Sequence, residues 1–262
     1  MSTVVCNQSI LIKLGGTAAA DGGALRDLAR DLAGARGNAA IVHGGGIQVS
    51  ELSRRLGLEP VFSAGIRMTT EAEMDVVEMV LSGVVNKRLV RRLLAAGLKA
   101  AGVSGADAAT IRGERITDAS GGRSRTARVA EVDPQLIEDL WSHGYVPVIS
   151  SPASDADYEA VNINADDVAF ALAGALHVSS LVFLSDVPGV MIDGRHVGSL
   201  SPEVAEAGIR AGEISGGMIP KVRNALTAIE RGVSQVVIGD YARSGDLEAL
   251  LHGRRGTAIV SG

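Results

Sequence analysis

The strongest constraint on the fold of this chain is a regular alternation of short apolar runs and longer amphipathic segments. The first short run, residues 10–14, ends at a glycine pair and is followed by leucines at helical spacing over residues 22–35. The next run, residues 39–42, ends in a glycine triplet before another helical segment at 47–56. This alternation predicts an α/β fold, in which helices sandwich an open, mainly parallel central sheet (α/β/α).

The rest of the chain keeps the same alternation. Residues 60–69 are predicted to form a hairpin around Gly65. Thr70 and Glu73 have the spacing of a capping box and open a long helix that extends to about residue 96. Further strands are predicted at 100–103, 146–149, 178–184, 236–238 and 258–260. Further helices are predicted at 134–143, 165–176, 202–211, 218–231 and 246–252, with a hairpin and exposed tip at 113–125.

The predicted helix over residues 71–96 is apolar on more than one face. A surface helix needs a single apolar stripe only slightly wider than 100°. The sequence leaves two interpretations open. Either the helix is deeply buried inside the monomer, or its second face packs against another subunit.

Composition excludes several classes of function. The chain has 262 residues with 25 basic and 30 acidic side chains, which gives a formal net charge of −5. A protein that binds nucleic acid needs a basic face, so nucleic acid is not an expected partner. The single cysteine, Cys6, excludes an internal disulfide framework and a multi-cysteine metal site.

One uncharged stretch, residues 168–185, reaches the lower length limit of a membrane span. Gly174 and His177 interrupt it and its second half is β-branched, so a buried helix followed by a buried strand is the favoured interpretation. Residues 1–9 carry no positive charge and no long apolar run, so no secretory signal is expected. The expected location is the cytoplasm, without membrane contact.

Two glycine clusters follow successive predicted strands, at the edge where parallel sheets bind ligands. Gly15 and Gly16 follow the first strand, and residues 44–46 follow the second. Glycines at such turns expose backbone N–H groups, and a following helix N-terminus adds partial positive charge. Tight turns alone explain one cluster, but two on neighbouring strand ends favour a phosphate site. The Walker and dinucleotide-binding glycine motifs are absent.

Lysine is rare in this chain and its positions are informative. Four of the 25 basic residues are lysines. Lys13 lies inside an apolar run, where burial without a neighbouring anion is costly. Lys221 falls in the first turn of a predicted helix, which is unfavourable for a cation. An anionic ligand explains both positions, although a solvated surface location remains the alternative for Lys221.

The segment 162–167 is the remaining polar cluster. Asn164 has the position of a helix N-cap, and Asp166 and Asp167 complement the helix dipole. Capping and the helix dipole account for only one asparagine and one aspartate of this segment, so the second asparagine and the second aspartate have no local explanation. One role for the second aspartate would be to hold two lysines in position.

Taken together, these motifs resemble those of the amino acid kinase family, and within it the enzymes that phosphorylate N-acetyl-L-glutamate in arginine biosynthesis. The resemblance runs in order from residue 12 to residue 260. The matching segments are IKLGG at 12–16, VHGGG at 42–46, LSRRLGLEP at 52–60, GIRMT at 65–69, VVEMVLSGVVNK at 76–87, GVSGAD at 102–107, GYVPVIS at 144–150, VNINAD at 161–166, FLSDVPGV at 183–190, GGMIPKV at 216–222 and GTAIV at 256–260. The chain departs from the family pattern at Ile47, at residues 68–70 and at residues 104–108, on the acyl-amino-acid side.

The resemblance implies transfer of the γ-phosphoryl group of ATP to the side-chain carboxylate of the acyl amino acid. That carboxylate is ionised at neutral pH and needs no general base, so positioning and electrostatics are expected to supply the catalysis. Mg²⁺ is expected to be held mainly by the phosphates, without a dedicated protein metal site. Two alternatives stay open: a kinase for an acylated or carrier-bound aminoadipate of lysine biosynthesis, and a non-catalytic amino-acid sensor on the same fold.

The resemblance also implies roles on the nucleotide side. Lys13 and Lys221 are expected to be catalytic, to bind the nucleotide phosphates and to stabilise the transition state. Asp166 is expected to be catalytic by holding both lysines. Gly15 and Gly16 are expected to donate backbone N–H groups to phosphate oxygens.

On the acceptor side, the resemblance implies that Gly44 and Gly45 bind substrate through their backbone N–H groups. Arg67 is expected to pair with the substrate α-carboxylate, because a guanidinium suits bidentate binding. From the residues alone, a charged hairpin residue that faces solvent is the alternative for Arg67. Asn162 is expected to hold the acetamido or carboxylate group.

The same resemblance implies two lobes on one continuous sheet. Residues 1–160 are expected to bind the acyl amino acid and to dimerise, and residues 161–262 to bind ATP. A homodimer is expected through the 71–96 helix. Feedback-inhibited hexameric relatives carry an extra N-terminal helix, and only about nine residues precede the first strand here, so a dimer insensitive to arginine is expected.

Overall fold

The computed structural model describes residues 9–15, 22–35, 37–63, 65–116 and 124–261. The strands among these residues are β1 Ile10–Leu14, β2 Ala39–His43, β3 Phe62–Ser63, β4 Ile66–Arg67, β5 Ala100–Ser104, β6 Ile111–Arg115, β7 Thr126–Val132, β8 Val146–Ser150, β9 Pro152–Ser154, β10 Ala160–Ile163, β11 Ser180–Leu184, β12 Met191–Ile192, β13 Arg195–His196, β14 Ser199–Leu200, β15 Gln235–Gly239 and β16 Thr257–Val260. The α-helices are α1 Gly22–Gly34, α2 Gly46–Arg55, α3 Glu71–Glu78, α4 Asn86–Ala95, α5 Gln135–Ser142, α6 Ala165–Ala175, α7 Pro202–Ala211, α8 Met218–Glu230 and α9 Asp246–Leu251. A π-helical segment, Met79–Val85, joins α3 to α4, and a 3₁₀ turn, Asp107–Ala109, follows β5.

Eight strands form one open sheet in the order β14-β16-β15-β11-β1-β2-β8-β5. Every neighbouring pair is parallel except β15 and β16. The predicted open, mainly parallel sheet is therefore confirmed. Strand β1 lies in its middle, between β11 and β2, so its carboxyl end faces the centre of the ligand-binding edge.

Two hydrophobic cores cover the two faces of this sheet. One core contains apolar side chains of α5, α6, α7 and α8, and the other contains those of α1, α3, α4 and α9. Successive side chains of a strand point to opposite faces, so Lys13 shares a face with Leu11 in the core beneath α6. The α/β/α architecture is thus confirmed, and it places Lys13 beside α6.

The strands contributed by residues before and after 160 occupy opposite halves of the sheet. Strands β6, β7, β9 and β10 form a separate small closed sheet beside it. A hairpin is present where one was predicted at 113–125, but its strands β6 and β7 begin at residue 111 and end at residue 132, and residues 117–123 lie outside the described residues. Cys6, Gly16 and the segment before residue 9 lie outside them as well. The assignment of ligands to the lobes 1–160 and 161–262 stays a prediction.

The long helical segment begins where the sequence predicts. The Thr70 side-chain oxygen accepts a hydrogen bond of 3.2 Å from the Glu73 amide. The expected capping box is only half formed, because the Glu73 carboxylate accepts from Arg67 and Ser53 instead. The π-helical winding at Met79–Val85 was not predicted.

Most apolar side chains of this helical segment are buried inside the monomer. For these side chains, burial within the monomer is therefore the correct interpretation, and no subunit contact is needed to explain them. Val77, Leu81 and Leu89 are fully buried or nearly so. Met79 and Val84 are about half exposed, and so is Leu94. A subunit contact through this second face stays a prediction.

The uncharged stretch 168–185 belongs to α6 and β11, as its interrupted pattern predicts. Among the described residues, none of the helices combines the length and the apolar character that crossing a bilayer requires.

Candidate active site

A cavity of about 680 Å³ opens at the carboxyl ends of β1 and β2. Its walls include six of the predicted site residues: Lys13, Gly15, Gly44, Gly45, Arg67 and Asn162. The π-helical segment contributes Leu81 and Val85 to the apolar part of the wall. The cavity therefore lies where a parallel sheet binds ligands, and it joins residues that are far apart in the chain.

One carboxylate contacts both predicted lysines. Lys13 Nζ lies 2.6 Å from Asp166 Oδ1, and Lys221 Nζ lies 3.5 Å from Asp166 Oδ2. The side chains of Lys13, Asp166 and Lys221 are 13%, 23% and 21% exposed. Lys221 is therefore not a solvated surface residue. We refer to these three residues as the two-lysine cluster.

Local structure explains how the cluster is built. Helix α6 begins at Ala165, and the side-chain oxygen of Asn164 accepts a 3.0 Å hydrogen bond from the Asp166 amide. Asp166 thus lies in the first turn of α6, where the helix dipole favours its charge. Lys221 lies in the first turn of α8, and the attraction of Asp166 offsets the unfavourable dipole there.

The electrostatics of the cluster favour an anionic ligand. Burial tends to raise the pKa of Asp166, but the nearby Lys13 and Lys221 outweigh it and hold that pKa below its usual value. Two ammonium groups and one carboxylate leave one net positive charge. The neighbouring Asp167 faces α8, where it accepts a hydrogen bond of 3.2 Å from Asn224 Nδ2, and burial raises its pKa.

An aromatic ring fixes the second ammonium group. Lys221 Nζ lies 5.6 Å from the centroid of the Phe183 ring, within cation–π range. Phe183 pairs with Lys13 in the register of β11 and β1. The sheet therefore brings both lysines to the same surface.

Gly15, the first residue of the glycine pair after β1, uses its backbone amide within the sheet. The absence of a side chain at this position leaves space for the Lys13 ammonium group. The Gly15 N–H donates to the Leu184 carbonyl oxygen at 3.1 Å and continues the sheet. The phosphate-donor role expected for this amide is therefore not what it performs in the structure. A Cβ at Gly15 would lie 3.3 Å from Lys13 Nζ and 3.2 Å from that carbonyl oxygen. Gly16 lies outside the described residues.

The glycine loop, residues 44–46, presents the N-terminus of α2 to the cavity. The Gly45 carbonyl accepts the Val49 amide at 3.0 Å, and no side chain caps this terminus. The first amides of α2 therefore have no partner inside the helix, and the dipole adds positive charge. Gly44 also lies beside the first residue of α6, since a Cβ there would lie 3.6 Å from Ala165 Cβ.

A close approach explains why residue 45 is a glycine. A Cβ at Gly45 would lie 2.8 Å from Leu81 Cδ2 and 3.2 Å from Val85 Cγ2. Both contacts belong to the π-helical segment. The widened helix and the glycine loop therefore pack directly against each other and shape the cavity wall.

A buried polar network beneath the glycine loop was not predicted from the sequence. His43 Nδ1 donates to the Gly44 carbonyl oxygen at 2.9 Å, and His43 Nε2 accepts from Asn86 Nδ2 at 3.1 Å. Lys87 Nζ in turn donates to Asn86 Oδ1 at 3.0 Å. Burial lowers the pKa of His43 to about 4, so its ring is neutral at neutral pH. The network fixes the first residue of the glycine loop.

The buried neutral His43 predicts a pH-dependent stability. The unfolded chain binds a proton at this ring near its usual pKa of 6.5, whereas the folded chain does so at about 4. The stabilisation is therefore complete above pH 6.5 and is lost as the pH falls towards 4, by up to about 3 kcal/mol. Urea unfolding at about pH 7 and about pH 4.5 measures the difference. His43→Gln should show a shallower dependence, and equal slopes for both proteins would contradict the assignment.

Arg67 is held at the other end of the cavity. Its Nη1 donates to Glu73 Oε1 at 2.6 Å, and its Nη2 donates to the Gly46 carbonyl oxygen at 3.0 Å and to Ser50 Oγ at 2.5 Å. Its guanidinium carbon lies 4.8 Å from the centroid of the Phe62 ring. The Arg67 side chain is 9% exposed, so it is not a hairpin residue facing solvent.

Asn162 lies on β10 and borders the same cavity. Its Nδ2 donates to Thr69 Oγ1 at 2.9 Å. Thr126 Oγ1 accepts from the Thr69 amide at 2.8 Å and donates to the Arg67 carbonyl oxygen at 2.7 Å. These two buried threonines, which sequence reasoning did not single out, tie the Arg67 hairpin to β7 and β10.

The comparison with known proteins decides the family. The sequence profile of the amino acid kinase family matches residues 8–240. The chain belongs to the amino acid kinase family. This confirms the family and the fold that the motifs predict.

Curated relatives of this amino acid kinase match it over most of their length. The acetylglutamate kinase of Rubrobacter xylanophilus is 41% identical over 252 residues, which cover 96% of this chain and 97% of that protein. The acetylglutamate kinase of Chloroflexus aurantiacus is 44% identical over 233 residues, which cover 88% of this chain and 92% of that protein. The solved structure of smu.665 from Streptococcus mutans is 26% identical in sequence and has a TM-score of 0.80. The match covers 96% of this chain and 98% of that chain.

In this amino acid kinase, two electropositive elements therefore lie side by side. One is the two-lysine cluster, and the other is the uncapped N-terminus of α2. A phosphoryl group between them would meet positive charge from both. Among the described residues, no group of three or more histidine, cysteine, aspartate or glutamate side chains is arranged to hold a metal ion.

Proposed function

We propose that this chain transfers the γ-phosphoryl group of ATP to the side-chain carboxylate of N-acetyl-L-glutamate. The products are N-acetylglutamyl 5-phosphate and ADP, in the second step of arginine biosynthesis. The observation that carries this proposal is the two-lysine cluster beside the glycine loop, in a chain 41% and 44% identical to two acetylglutamate kinases.

The proposed step is an in-line displacement. A side-chain carboxylate oxygen attacks the γ-phosphorus, the bond from that phosphorus to the bridging oxygen breaks, and the electron pair leaves on ADP. The attacking oxygen carries no proton at neutral pH, so no base is required. The obstacle is repulsion between two anions, which preorganised positive groups reduce.

Lys13 and Lys221 have different tasks in this proposal. Lys13 borders the cavity and neutralises charge on the transferring phosphoryl group. Lys221, on α8, neutralises charge that develops on the leaving β-phosphate. Asp166 keeps both ammonium groups in place between turnovers.

The cavity around the glycine loop supplies the acceptor site. The first amides of α2 receive the reacting carboxylate, and Asn162 contacts the acetamido group. Leu81 and Val85 provide an apolar wall for the acyl methyl group. Arg67 lies at the end that receives the α-carboxyl group.

Mg²⁺ is part of the nucleotide substrate in this proposal. Because Mg²⁺ keeps much of its hydration, phosphate oxygens and water are expected to hold it. We place the reaction in the cytoplasm, because it consumes ATP.

We further propose a homodimer through the helical segment 71–96. Met79, Val84 and Leu94 leave apolar surface on this segment, and its contact with a second copy would cover them. Light scattering at micromolar concentration is expected to give a dimer mass. A monomer under these conditions would contradict this part of the proposal.

A hydroxamate assay for acyl phosphate tests the proposed activity. The panel is N-acetyl-L-glutamate, N-acetyl-L-aminoadipate, N-acetyl-L-aspartate and unacylated glutamate, each with MgATP. N-acetyl-L-glutamate is expected to be the best acceptor. A clear preference for the aminoadipate derivative would favour a lysine-biosynthetic kinase, and no acyl phosphate with any acid would favour a sensor.

Replacing Arg67 with alanine is expected to raise the acceptor KM by about tenfold or more. The variant loses a guanidinium and leaves Glu73 buried without its cationic partner, next to an anionic substrate. The KM for ATP should change less than about twofold, since Arg67 contacts the acceptor end only. Arg128→Ala, at an exposed position on β7, is the matched control. Equal effects on both KM values would reject this placement of Arg67.

A further inference from the structure

The hydrogen bonds around the His43 ring determine which of its two nitrogens carries the hydrogen. The ring is fully buried and is neutral at neutral pH, because burial lowers its pKa. A neutral imidazole has one nitrogen that donates a hydrogen bond and one that accepts. Nδ1 lies 2.9 Å from the Gly44 carbonyl oxygen, which only accepts, and Nε2 lies 3.1 Å from Asn86 Nδ2. The hydrogen therefore belongs on Nδ1, and Nε2 accepts from Asn86.

The orientation of the Asn86 amide is fixed independently of His43. Asn86 Nδ2 lies 2.8 Å from the Val148 carbonyl oxygen, which only accepts. Asn86 Oδ1 lies 3.0 Å from Lys87 Nζ, which only donates. A rotated amide would oppose oxygen to oxygen and nitrogen to nitrogen. A Cβ at Gly102 would overlap Asn86 Oδ1, so a glycine on β5 makes room for this arrangement.

This chain of hydrogen bonds sets the direction of one amide at the acceptor site. The peptide bond between Gly44 and Gly45 is planar and trans, so its carbonyl and its N–H point in opposite directions. The carbonyl is turned into the protein towards His43, and the Gly45 N–H is turned away from that ring. Both glycines border the cavity, and among the described residues the Gly45 N–H has no backbone acceptor. This N–H is therefore available to an anion in the cavity.

The two glycines would not keep this orientation by themselves. Glycine tolerates most backbone conformations, so the peptide between Gly44 and Gly45 can rotate at little steric cost. After such a rotation the Gly44 carbonyl oxygen would face the cavity, where its partial negative charge would repel an anionic substrate. The His43 hydrogen bond opposes the rotation, because breaking it leaves a buried donor without a partner.

We propose that His43 is a positioning residue for the phosphoryl transfer. It holds the Gly44 carbonyl so that the Gly45 N–H meets the negative charge shared by the acceptor carboxylate and the transferring phosphoryl group. Asn86 supports it by keeping the ring hydrogen on Nδ1. This inference rests on the proposed function. His43 exchanges no proton with the substrates, and the bonds made and broken are those of the proposed displacement.

Two substitutions at position 43 separate positioning from packing. The amide nitrogen of asparagine can occupy the place of imidazole Nδ1, and that of glutamine the place of Nε2. His43→Asn therefore keeps a donor for the Gly44 carbonyl, and His43→Gln does not. In steady-state ADP release, kcat is expected to fall about fiftyfold in His43→Gln and less than about fivefold in His43→Asn, with the KM for ATP unchanged in both.

A role in packing alone predicts the opposite order of the two variants. Asparagine is smaller than glutamine and leaves the larger void in place of the ring. Equal losses of kcat, or a larger loss in His43→Asn, would overturn the proposal. His143→Gln, which replaces an exposed histidine at the end of α5, is the matched control and should keep normal turnover.

A measurement on the unmodified protein keeps the proposal testable if His43→Gln does not fold. In ¹⁵N-labelled protein, NMR correlations between the ring nitrogens and the ring carbon hydrogens identify the nitrogen that carries the hydrogen. The His43 signals are those missing from the spectrum of His43→Asn. We expect the hydrogen on Nδ1, and a hydrogen on Nε2 would overturn the proposal.

The two failures are distinguishable. If the unmodified protein makes no acyl phosphate with any acid, the proposed function fails. If it phosphorylates N-acetyl-L-glutamate and His43→Gln keeps a normal kcat, the proposed function stands and this inference fails.

Discussion

Lys13→Ala is expected to lower kcat by about a thousandfold while the protein stays folded. The substitution removes the ammonium group that lies 2.6 Å from Asp166 and borders the cavity. The net charge of the two-lysine cluster then falls from one positive charge to zero. Removal of one preorganised group that faces developing charge costs about two to three orders of magnitude in other enzymes.

Steady-state ADP release with both substrates saturating measures this effect. Lys99→Ala, at an exposed position before β5, is the matched control and should keep normal turnover. Lys13→Arg is expected to restore little activity, because a planar guanidinium does not place a compact point charge where the ammonium group contacts Asp166. A kcat for Lys13→Ala within a few-fold of normal would show that the assigned role is wrong.

The second large effect is expected at Asp166. Asp166→Asn preserves the shape of the side chain but leaves Lys13 and Lys221 as two neighbouring cations without their shared counter-charge. We expect kcat to fall by about a hundredfold or more, since neither ammonium group is then held in position. The free energy of unfolding should fall by about 2 kcal/mol, less than for a fully buried pair because the cluster is partly exposed.

Kinetic assays and urea unfolding of the Asp166→Asn variant test this expectation together. Asp167→Asn is the matched control, because this neighbouring carboxylate contacts Asn224 on α8 and not the lysines. The control should keep kcat within about threefold. If Asp166→Asn behaved like the control, Asp166 would be a residue that merely complements the helix dipole.

The sequence specified the large elements of this fold because their signals are local. Helix α7 has the predicted bounds, since Ser201 caps it, Pro202 begins it and the left-handed Gly212 ends it. The central strands β1, β2 and β11 are buried almost throughout, and each is therefore an apolar run with a single polar residue. The bounds of such segments can therefore be predicted from their own residues.

Elements that depend on distant contacts were missed. Strands β9, β10, β12, β13 and β14 have two to four residues each and were not predicted. Short strands exist because of their pairing partners rather than their own pattern. The π-helical segment has an ordinary helical composition, and its winding accompanies the close packing of Leu81 and Val85 against Gly45.

The same division holds within the candidate site. The convergence of Lys13, Asp166 and Lys221 was predictable, because both lysines were unfavourable in their local settings and the family resemblance assigned Asp166 to hold them. The use of the Gly15 amide was not predictable, since it depends on the neighbouring strand β11. Glu73 had a satisfactory local explanation as a capping-box residue, and this concealed its contact with Arg67.

The most direct test of the central claim is a crystal structure with ADP, Mg²⁺, aluminium fluoride and N-acetyl-L-glutamate. The planar fluoride group mimics the transferring phosphoryl group. We predict that it lies between the acceptor carboxylate and ADP, within hydrogen-bonding distance of Lys13 Nζ, with Lys221 Nζ on the β-phosphate side. A nucleotide whose phosphates lie away from both amines would contradict the account.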